Sequence, residues 1–331
     1  MAASIKDVAR DAGVSIATVS RVLNGIDVVN EDTKKKVLET IEKLDYRPNI
    51  LARSLKTQKS STIGIIIPDI SNPIYPEVVR GAEDVASIYN YNIMLCNTDL
   101  DLDREKESFN VLREKMVDGV IYMSNSLESD IKDIIKSMEI PTVLVGTVDS
   151  EKNFPSVAID MYGASYDAVK YLIEKGNKSI AYIGYHEEKS SDYSRMYKGY
   201  KKAIEESLTF DSSLVYFGSL KAEDGYKGIK DILIRKKVDA VFCANDEVAM
   251  GAINSLREDG VQVPGDVDVM GFNDIALASV YYPKLTTIST PLYDMGSVAM
   301  RLLIKIIDKI PTDERNFLLP YTIVERDSCK K

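Results

Sequence analysis

Histidine and cysteine are scarce in this 331-residue chain, which has one of the first and three of the second. His186 stands alone in a polar run, H-E-E-K-S-S-D. A single histidine argues against a histidine-based metal site and leaves no partner for a Ser-His-Asp arrangement. The three cysteines are far apart and form no C-x-x-C pair, so they read as reduced structural thiols. Cys96 and Cys243 lie in apolar, strand-like runs and Cys329 in a polar tail. No apolar run approaches the roughly 18 residues of a membrane span. The start, M-A-A-S-I-K-D, has no basic-then-apolar leader pattern. A cytoplasmic, nucleoid-associated protein is expected. Catalytic signatures are missing too: no G-x-G-x-x-G after a strand, no G-x-x-x-x-G-K-[ST], no G-x-S-x-G and no H-E-x-x-H. The chain is therefore not expected to be an enzyme or to hold a cofactor or metal. A solute receptor or enzyme with a vestigial head piece stays as a remote alternative.

What is present is unevenly placed. The net charge is −9, yet residues 1–60 carry 11 Lys and Arg against 8 Asp and Glu, while the remainder carries 31 against 43. A basic end on an acidic body is the footprint of a local nucleic-acid contact. The acidic body limits indiscriminate binding to phosphate.

The basic end reads as three short helices. Ile5, Val8, Ala9 and Ala12 form an i, i+3, i+4, i+7 stripe. Gly13 suits the positive φ of a tight turn. Ser15 is placed to cap a second helix from Ile16 to about Leu23, with Ala17, Val19 and Val22 packing inward. Asn30 is placed to cap a third, whose stripe is Val37, Leu38, Ile41 and Leu44. The second helix is short and rich in hydroxyls, and Ile16, Ala17, Thr18, Ser20 and Arg21 can face outward. This is a helix-turn-helix plan: small side chains let the backbone approach the major groove, hydroxyls bond phosphate, and Arg21 can grip guanine.

From Thr62 onward, apolar strands alternate with amphipathic helices. Strands are expected at Ile63–Ile67, Ile93–Cys96, Gly119–Met123, Thr142–Val145, Ile180–Ile183, Val238–Cys243 and Val267–Phe272. Helices are expected at Tyr75–Tyr89, Met161–Glu174, Ala222–Arg235 and Asp246–Glu258. Such alternation implies parallel sheets covered on both faces. At this length it implies an α/β fold of two doubly wound lobes, with a cleft at the strand carboxyl ends.

The run I-K-D-V-A-R-D-A-G-V-S-I-A-T-V-S-R-V-L-N, followed by Y-R-P-N-I-L-A-R-S-L, resembles the signature of the LacI/GalR family of bacterial regulators. The resemblance extends over essentially the whole chain. It implies a DNA-binding domain over 1–48, a hinge over 49–60 and an effector core over 61–331, similar to periplasmic binding proteins. The core divides into an N-lobe of 61–160 and 290–322 and a C-lobe of 161–289 and 323–331, with crossings near Asp160, Ser289 and Thr322. The resemblance puts Ile16, Ala17 and Arg21 at base-reading positions. It puts Ser4, Ser15, Thr18, Ser20, Asn24 and Thr33 at phosphate-contacting ones. In the hinge, Asn49, Ala52, Arg53 and Lys56 contact DNA and Leu55 wedges into the minor groove. Eight residues make no stable helix alone, so folding of this hinge on the operator is physically reasonable. The cleft is expected at Ser71, Asn72, Tyr75, Arg195, Asp246 and Asn273, with Asp246 also capping its helix. Asn273 stands where many relatives have aspartate, which weakens the case for a tight sugar grip.

The segment Thr290 to Ile310, T-P-L-Y-D-M-G-S-V-A-M-R-L-L-I-K-I-I-D-K-I, is read as a helix capped by Thr290, with Pro291 at its first position. Leu292, Met295, Ala299, Leu302, Leu303, Ile306 and Ile310 make its buried stripe. Asp294, Ser297, Val298, Arg301 and Lys305 make another face. The segment resembles the catabolite-control branch of the family in Gram-positive bacteria, as do P-D-I-S-N and G-A-E-D-V-A-S-I-Y-N-Y-N-I. That resemblance implies a protein co-repressor, the phosphocarrier HPr phosphorylated on serine, docking on Asp84, Tyr293, Asp294, Val298, Arg301 and Arg326. A sugar phosphate is a possible further modulator. A rigid guanidinium fork suits a phosphoserine dianion. A homodimer on a pseudo-palindromic operator is expected, and the lack of a leucine heptad after Arg326 favours a dimer over a tetramer.

Overall fold

The computed structural model describes residues 3–23, 29–46, 59–185 and 192–330. The chain divides into two compact units, Met1–Ser60 and Ser61–Lys331.

The small unit holds three helices, α1 (Ile5–Ala12), α2 (Ile16–Leu23) and α3 (Glu31–Lys43). Ser4 opens α1 with a capping box: its hydroxyl accepts from the Asp7 amide, and its own N–H donates to the Asp7 carboxylate at 3.0 Å. These hydrogen bonds from Ser4 hold the Asp7 carboxyl below the usual carboxylate range. Gly13 closes α1 at φ +65°, a left-handed position that glycine occupies without a Cβ penalty. Val8, Ala9, Ala12, Val19, Val22 and Val37 form the core. Two expectations fail here. Ala17 is exposed, so Val19 and Val22, with the half-buried Leu23, anchor α2. Leu38 is 48% exposed, and its expected inward place on α3 is taken by Thr40, whose hydroxyl donates to the Lys36 carbonyl at 2.8 Å. A hydroxyl bonded to its own helix backbone can be buried without a lost hydrogen bond.

The large unit contains two six-stranded sheets. Its strands are β1 (Thr62–Ile67), β2 (Asn92–Asn97), β3 (Gly119–Met123), β4 (Thr142–Val145), β5 (Ser156–Ala158), β6 (Ile180–Gly184), β7 (Val215–Phe217), β8 (Ala240–Cys243), β9 (Asp268–Asn273), β10 (Thr286–Ser289), β11 (Asn316–Leu318) and β12 (Thr322–Val324). The first sheet has the order β11-β5-β4-β3-β1-β2 and is parallel throughout. The second has the order β12-β10-β9-β8-β6-β7 and is parallel except for β12, which runs antiparallel to β10. The backbone passes between sheets after β5, after β10 and between β11 and β12. The seven long strands agree with the sequence reading to within two residues at each end. The five short ones, β5, β7, β10, β11 and β12, escaped it.

The helices are α4 (Ile74–Ile88), α5 (Leu102–Glu114), α6 (Ser129–Met138), α7 (Met161–Glu174), α8 (Asp192–Ser207), α9 (Ala222–Arg235), α10 (Asp246–Glu258) and α11 (Leu292–Ile307). They pack in pairs: α4 with α11 and α5 with α6 on the first sheet, α7 with α8 and α9 with α10 on the second. Glycines let the pairs close. A Cβ on Gly81 would lie 1.9 Å from the Tyr293 carbonyl oxygen, and one on Gly296 would lie 1.9 Å from that of Val78. Gly225 and Gly251 stand in the same relation to Val248 and Ala222 across α9 and α10.

Further corrections concern the far end. Thr290 does not cap α11; Pro291 holds the N-cap position, and the Thr290 hydroxyl donates instead to the Asn273 carbonyl at 3.4 Å. Ser297, expected on the outer face, is buried against α4, whereas Ile310 lies past the helix end and is half exposed. Cys329 is buried rather than in a solvated tail, and its Sγ lies 3.3 Å from the Val269 carbonyl oxygen. Cys96, Cys243 and Cys329 are free thiols. His186 falls outside the described residues.

Candidate DNA-reading face, cleft and docking strip

In the small unit the hydroxyl residues gather at helix N-termini. Ser4 precedes α1; Ser15 precedes α2 and accepts from the Thr18 amide at 3.1 Å, and the two hydroxyls lie 2.9 Å apart. Thr33 sits in the first turn of α3, where Asn30 accepts from the Asp32 and Thr33 amides at 2.7 and 3.4 Å. Helix N-termini carry unsatisfied amides and positive dipole ends, so phosphate is attracted to each. On α2, Ile16, Ala17 and Arg21 are exposed, with Thr18 and Ser20 half-buried beside them. The expected contacts Asn24, Asn49, Ala52, Arg53, Leu55 and Lys56 lie outside the described residues.

The cleft residues separate into three groups. Tyr75 and Asn273 line a cavity of about 100 Å³, with Met123, Asn125, Val145, Tyr193, Phe272 and Met295 among their neighbours. Arg195 lies within α8 rather than ahead of a helix, and lines a different, polar pocket with Lys132, Asn125, Thr147 and Ser150. Ser71, Asn72 and Asp246 line neither. Ser71 is turned onto Asp69, its hydroxyl donating at 2.6 Å, and the Asn72 side chain accepts from the Ile74 amide. Asn245, not Asp246, caps α10, accepting from the Val248 amide at 2.7 Å.

Asp246 is 1% exposed and joins three segments: its carboxylate accepts from the Thr287 hydroxyl at 2.6 Å and the Ile275 amide at 2.8 Å. Burial pushes its pKa up to about 7 against the lowering effect of those bonds. It thereby pins the turn after β9, where Asn273 and Asp274 take φ of +102° and +58°. Few residues other than glycine tolerate positive φ, and Asn and Asp are among them. The amide at Asn273 thus suits its backbone as well as the cleft. Another buried carboxylate, Glu105, was not foreseen. It accepts from Tyr122 Oη at 2.7 Å and from Ser124 Oγ at 3.0 Å behind the cavity wall, and burial raises its pKa. Only packing of α5 against β3 reveals it, because its local pattern is that of a solvated helix face.

The docking residues are partly united. Tyr293 Oη donates to Asp84 at 2.9 Å across the α4–α11 pair, and Arg80 pairs with the same carboxylate at 3.5 Å. Asp294 and Arg301 are exposed on α11, and Val298 and Arg301 border a pocket of about 380 Å³ with Lys305, Asp313, Glu314 and Phe317. Arg326 is not part of this strip. It sits beside the second sheet, paired with Asp274 at 2.7 Å and donating to the Leu285 carbonyl at 2.8 Å.

A helix-turn-helix unit with a doubly wound two-sheet core defines a DNA-binding transcriptional regulator. Residues 4–49 match the family described as bacterial regulatory proteins, lacI family, and residues 60–327 match the periplasmic binding proteins and sugar binding domain of LacI family. The chain belongs to the LacI family. It is 62% identical to the HTH-type transcriptional regulator RegA of Clostridium acetobutylicum over 334 residues, covering 100% of both chains. It is 42% identical to catabolite control protein A of Priestia megaterium over 332 residues, again covering 100% of both. Among solved structures it is similar to the lac repressor dimer bound to operator and the anti-inducer ONPF, with a TM-score of 0.87, 23% identity and 99% of each chain covered. At that identity the likeness is one of fold. No described helix is long and apolar enough to cross a membrane.

Proposed function

We propose that this regulator acts in carbon catabolite control, as a homodimer on a pseudo-palindromic operator, activated by the serine-phosphorylated phosphocarrier HPr. The observation that carries this reading is Arg301. It is exposed on α11, makes no ion pair among the described residues, and lies one turn from Val298 and from Lys305. A guanidinium without a carboxylate partner, next to an apolar side chain, suits a phosphoserine set in a protein surface. The 42% identity to a protein named catabolite control protein A supports it. In this reading Asp84, Tyr293, Asp294 and Val298 border the docking site and Arg326 acts within the second lobe. Docking shifts the lobes, the hinge at 49–60 folds on DNA, and Leu55 enters the minor groove.

The test is an operator titration with and without seryl-phosphorylated HPr. Operator affinity should rise by at least about tenfold with the phosphoprotein, an allosteric coupling of ordinary size. Arg301→Ala should lose that gain and keep the basal affinity; equal loss of both would contradict the assignment. Leu55→Ala should weaken specific binding far more than non-specific binding. A second reading, a repressor that answers to a sugar or nucleobase between the lobes, is favoured by the cavity at Tyr75 and Asn273. A sugar phosphate as modulator would draw its cation from Arg195 in the neighbouring polar pocket.

A further inference from the structure

The crossings between the lobes gather at one end of each sheet. The strands that they leave, β5, β10 and β11, and β12, which the last one enters, are the outer two of each order: β11-β5 in the first sheet and β12-β10 in the second. A hinge built there gives its longest lever to the opposite end, where β1, β2, β6 and β7 stand. Neighbouring strands are about 4.8 Å apart, so β1 stands roughly 14 Å from β5 and β7 roughly 19 Å from β10. A lobe rotation of about 15° at the crossings moves contacts on so long a lever by roughly 4–5 Å.

An ion pair joins the lobes at that far end. Asp69 follows β1 in the first lobe, Lys221 follows β7 and precedes α9 in the second, and Lys221 Nζ lies 3.1 Å from Asp69 Oδ2. Each partner is set by its own loop. Asp69 Oδ1 accepts from the Ser71 amide at 2.8 Å and the Ser71 hydroxyl at 2.6 Å, which leaves Oδ2 to the lysine. These bonds from Ser71, helped by Lys221, hold the Asp69 carboxyl below the usual carboxylate range. On the other side Leu220 takes φ +66°, and its carbonyl accepts from Asn245 Nδ2 at 2.9 Å. The Lys221 amide donates to Asp224 at 3.3 Å, and the same carboxylate accepts from the Ser219 amide and hydroxyl at 2.8 and 2.6 Å. Loops fixed in this way reduce the entropy that the pair must overcome to form.

We propose that Asp69 and Lys221 form an inter-lobe latch: their ion pair biases the chain toward the closed arrangement of the lobes, and ionic strength sets how firmly it holds. Its place far from the crossings is what gives it this role, because a small lobe rotation parts a 3.1 Å contact there. The side chain of Lys221 is 56% exposed and that of Asp69 29%, so dissolved salt reaches the pair. An exposed pair of this kind shifts an equilibrium by up to about fivefold. The latch acts without any occupant of the cleft and without a phosphoprotein, so it goes beyond the docking reading and does not depend on it.

The test uses the full chain without HPr or operator. Met123 and Met295 line the cavity between the lobes and are 2% and 6% exposed, so peroxide oxidation of their sulfurs, read by peptide mass spectrometry, follows lobe opening. Met270 and Met300 are wholly buried and do not line it, so they report unfolding instead. Asp69→Asn keeps an acceptor for Ser71, and Lys221→Met keeps the apolar stem. Each should speed oxidation of Met123 and Met295 by about two- to fivefold at about 0.01 M salt, where the screening length is about 30 Å, with no change at Met270 and Met300. The double substitution should be no faster than either single one, because each already breaks the pair. Raising salt to about 1 M should bring the unsubstituted chain to the rate of the variants and leave the variants nearly unchanged. That arm needs no substitution and decides the matter if a variant does not fold. Equal rates in the variants and the unsubstituted chain, effects that add in the double variant, an acceleration shared by Met270 and Met300, or no response of the unsubstituted chain to salt would overturn the latch.

Discussion

The two lobes solve the same packing problem in the same way. In the first, α4 and α11 close through Gly81 and Gly296; in the second, α9 and α10 close through Gly225 and Gly251. Each pair is also clasped by a tyrosine on one helix bonded to a carboxylate on the other. Tyr293 meets Asp84 in the first lobe and Tyr226 meets Glu258 in the second, and the α7–α8 pair repeats the device with Tyr166 and Glu206 at 2.6 Å. A clasp found in three helix pairs is first a packing element. The Tyr293–Asp84 contact therefore says little about function by itself. What distinguishes the first lobe is the exposed Arg301 beside Val298, without an ion pair among the described residues, and the weight of the docking proposal rests there.

The strongest way to break this comparison is at the glycines. Gly296→Val and Gly251→Val each drive a side chain into a backbone carbonyl that a Cβ would meet at 1.9 and 1.8 Å. Each should destabilise its lobe by about 3 kcal/mol or more, read by chemical denaturation, since a backbone cannot yield as a flexible side chain does. If one lobe tolerates the change and the other does not, the equivalence fails.

The next effect depends on pH and is sought at Asp246 in the second lobe; Glu105 in the first, whose pKa burial also raises, adds a dependence of the same sign. Asp246 titrates near 7 in the folded chain and near the ordinary 3.8 once unfolded. The folded state then binds the extra proton between those values, so stability should fall as pH rises from about 4 to about 7, by up to a few kcal/mol. Asp246→Asn should flatten that slope in denaturation curves taken across the range; an unchanged slope would assign the pH dependence elsewhere. The smallest effect is at the clasps. Tyr293→Phe and Tyr226→Phe should each lower stability only slightly in chemical denaturation, because both bonds are exposed. Tyr293→Phe should leave the phosphoprotein response largely intact; loss comparable to that of Arg301→Ala would return the clasp to the docking site.

Legibility followed length and locality. The helices of the small unit and the long strands of the large one carry periodic patterns that one stretch of chain displays. Three-residue strands such as β5 and β11 have no period to read, and β10, T-T-I-S, hides its buried threonines because their partners, Asp246 and Arg326, come from elsewhere in the chain. The site residues divide the same way. The outward face of α2 followed from local pattern. The internal partners of Asp246, Ser71, Asn72 and Arg326 were not legible, because they are a matter of what folds back against them.

The amino-acid sequence by itself determined that this protein has a basic helix-turn-helix reader and an α/β core of two doubly wound lobes, because periodicity, capping and charge are properties of neighbouring residues. Only the tertiary structure decided which polar side chains are free to meet a partner. Arg301 makes no ion pair among the described residues, while Arg326 is paired with Asp274. Tyr75 and Asn273 line the cavity between the lobes while Asp246 is sealed inside. The physical reason is that a hydrogen bond or ion pair is a relation between distant residues, and its satisfaction can be counted only after the chain has brought them together.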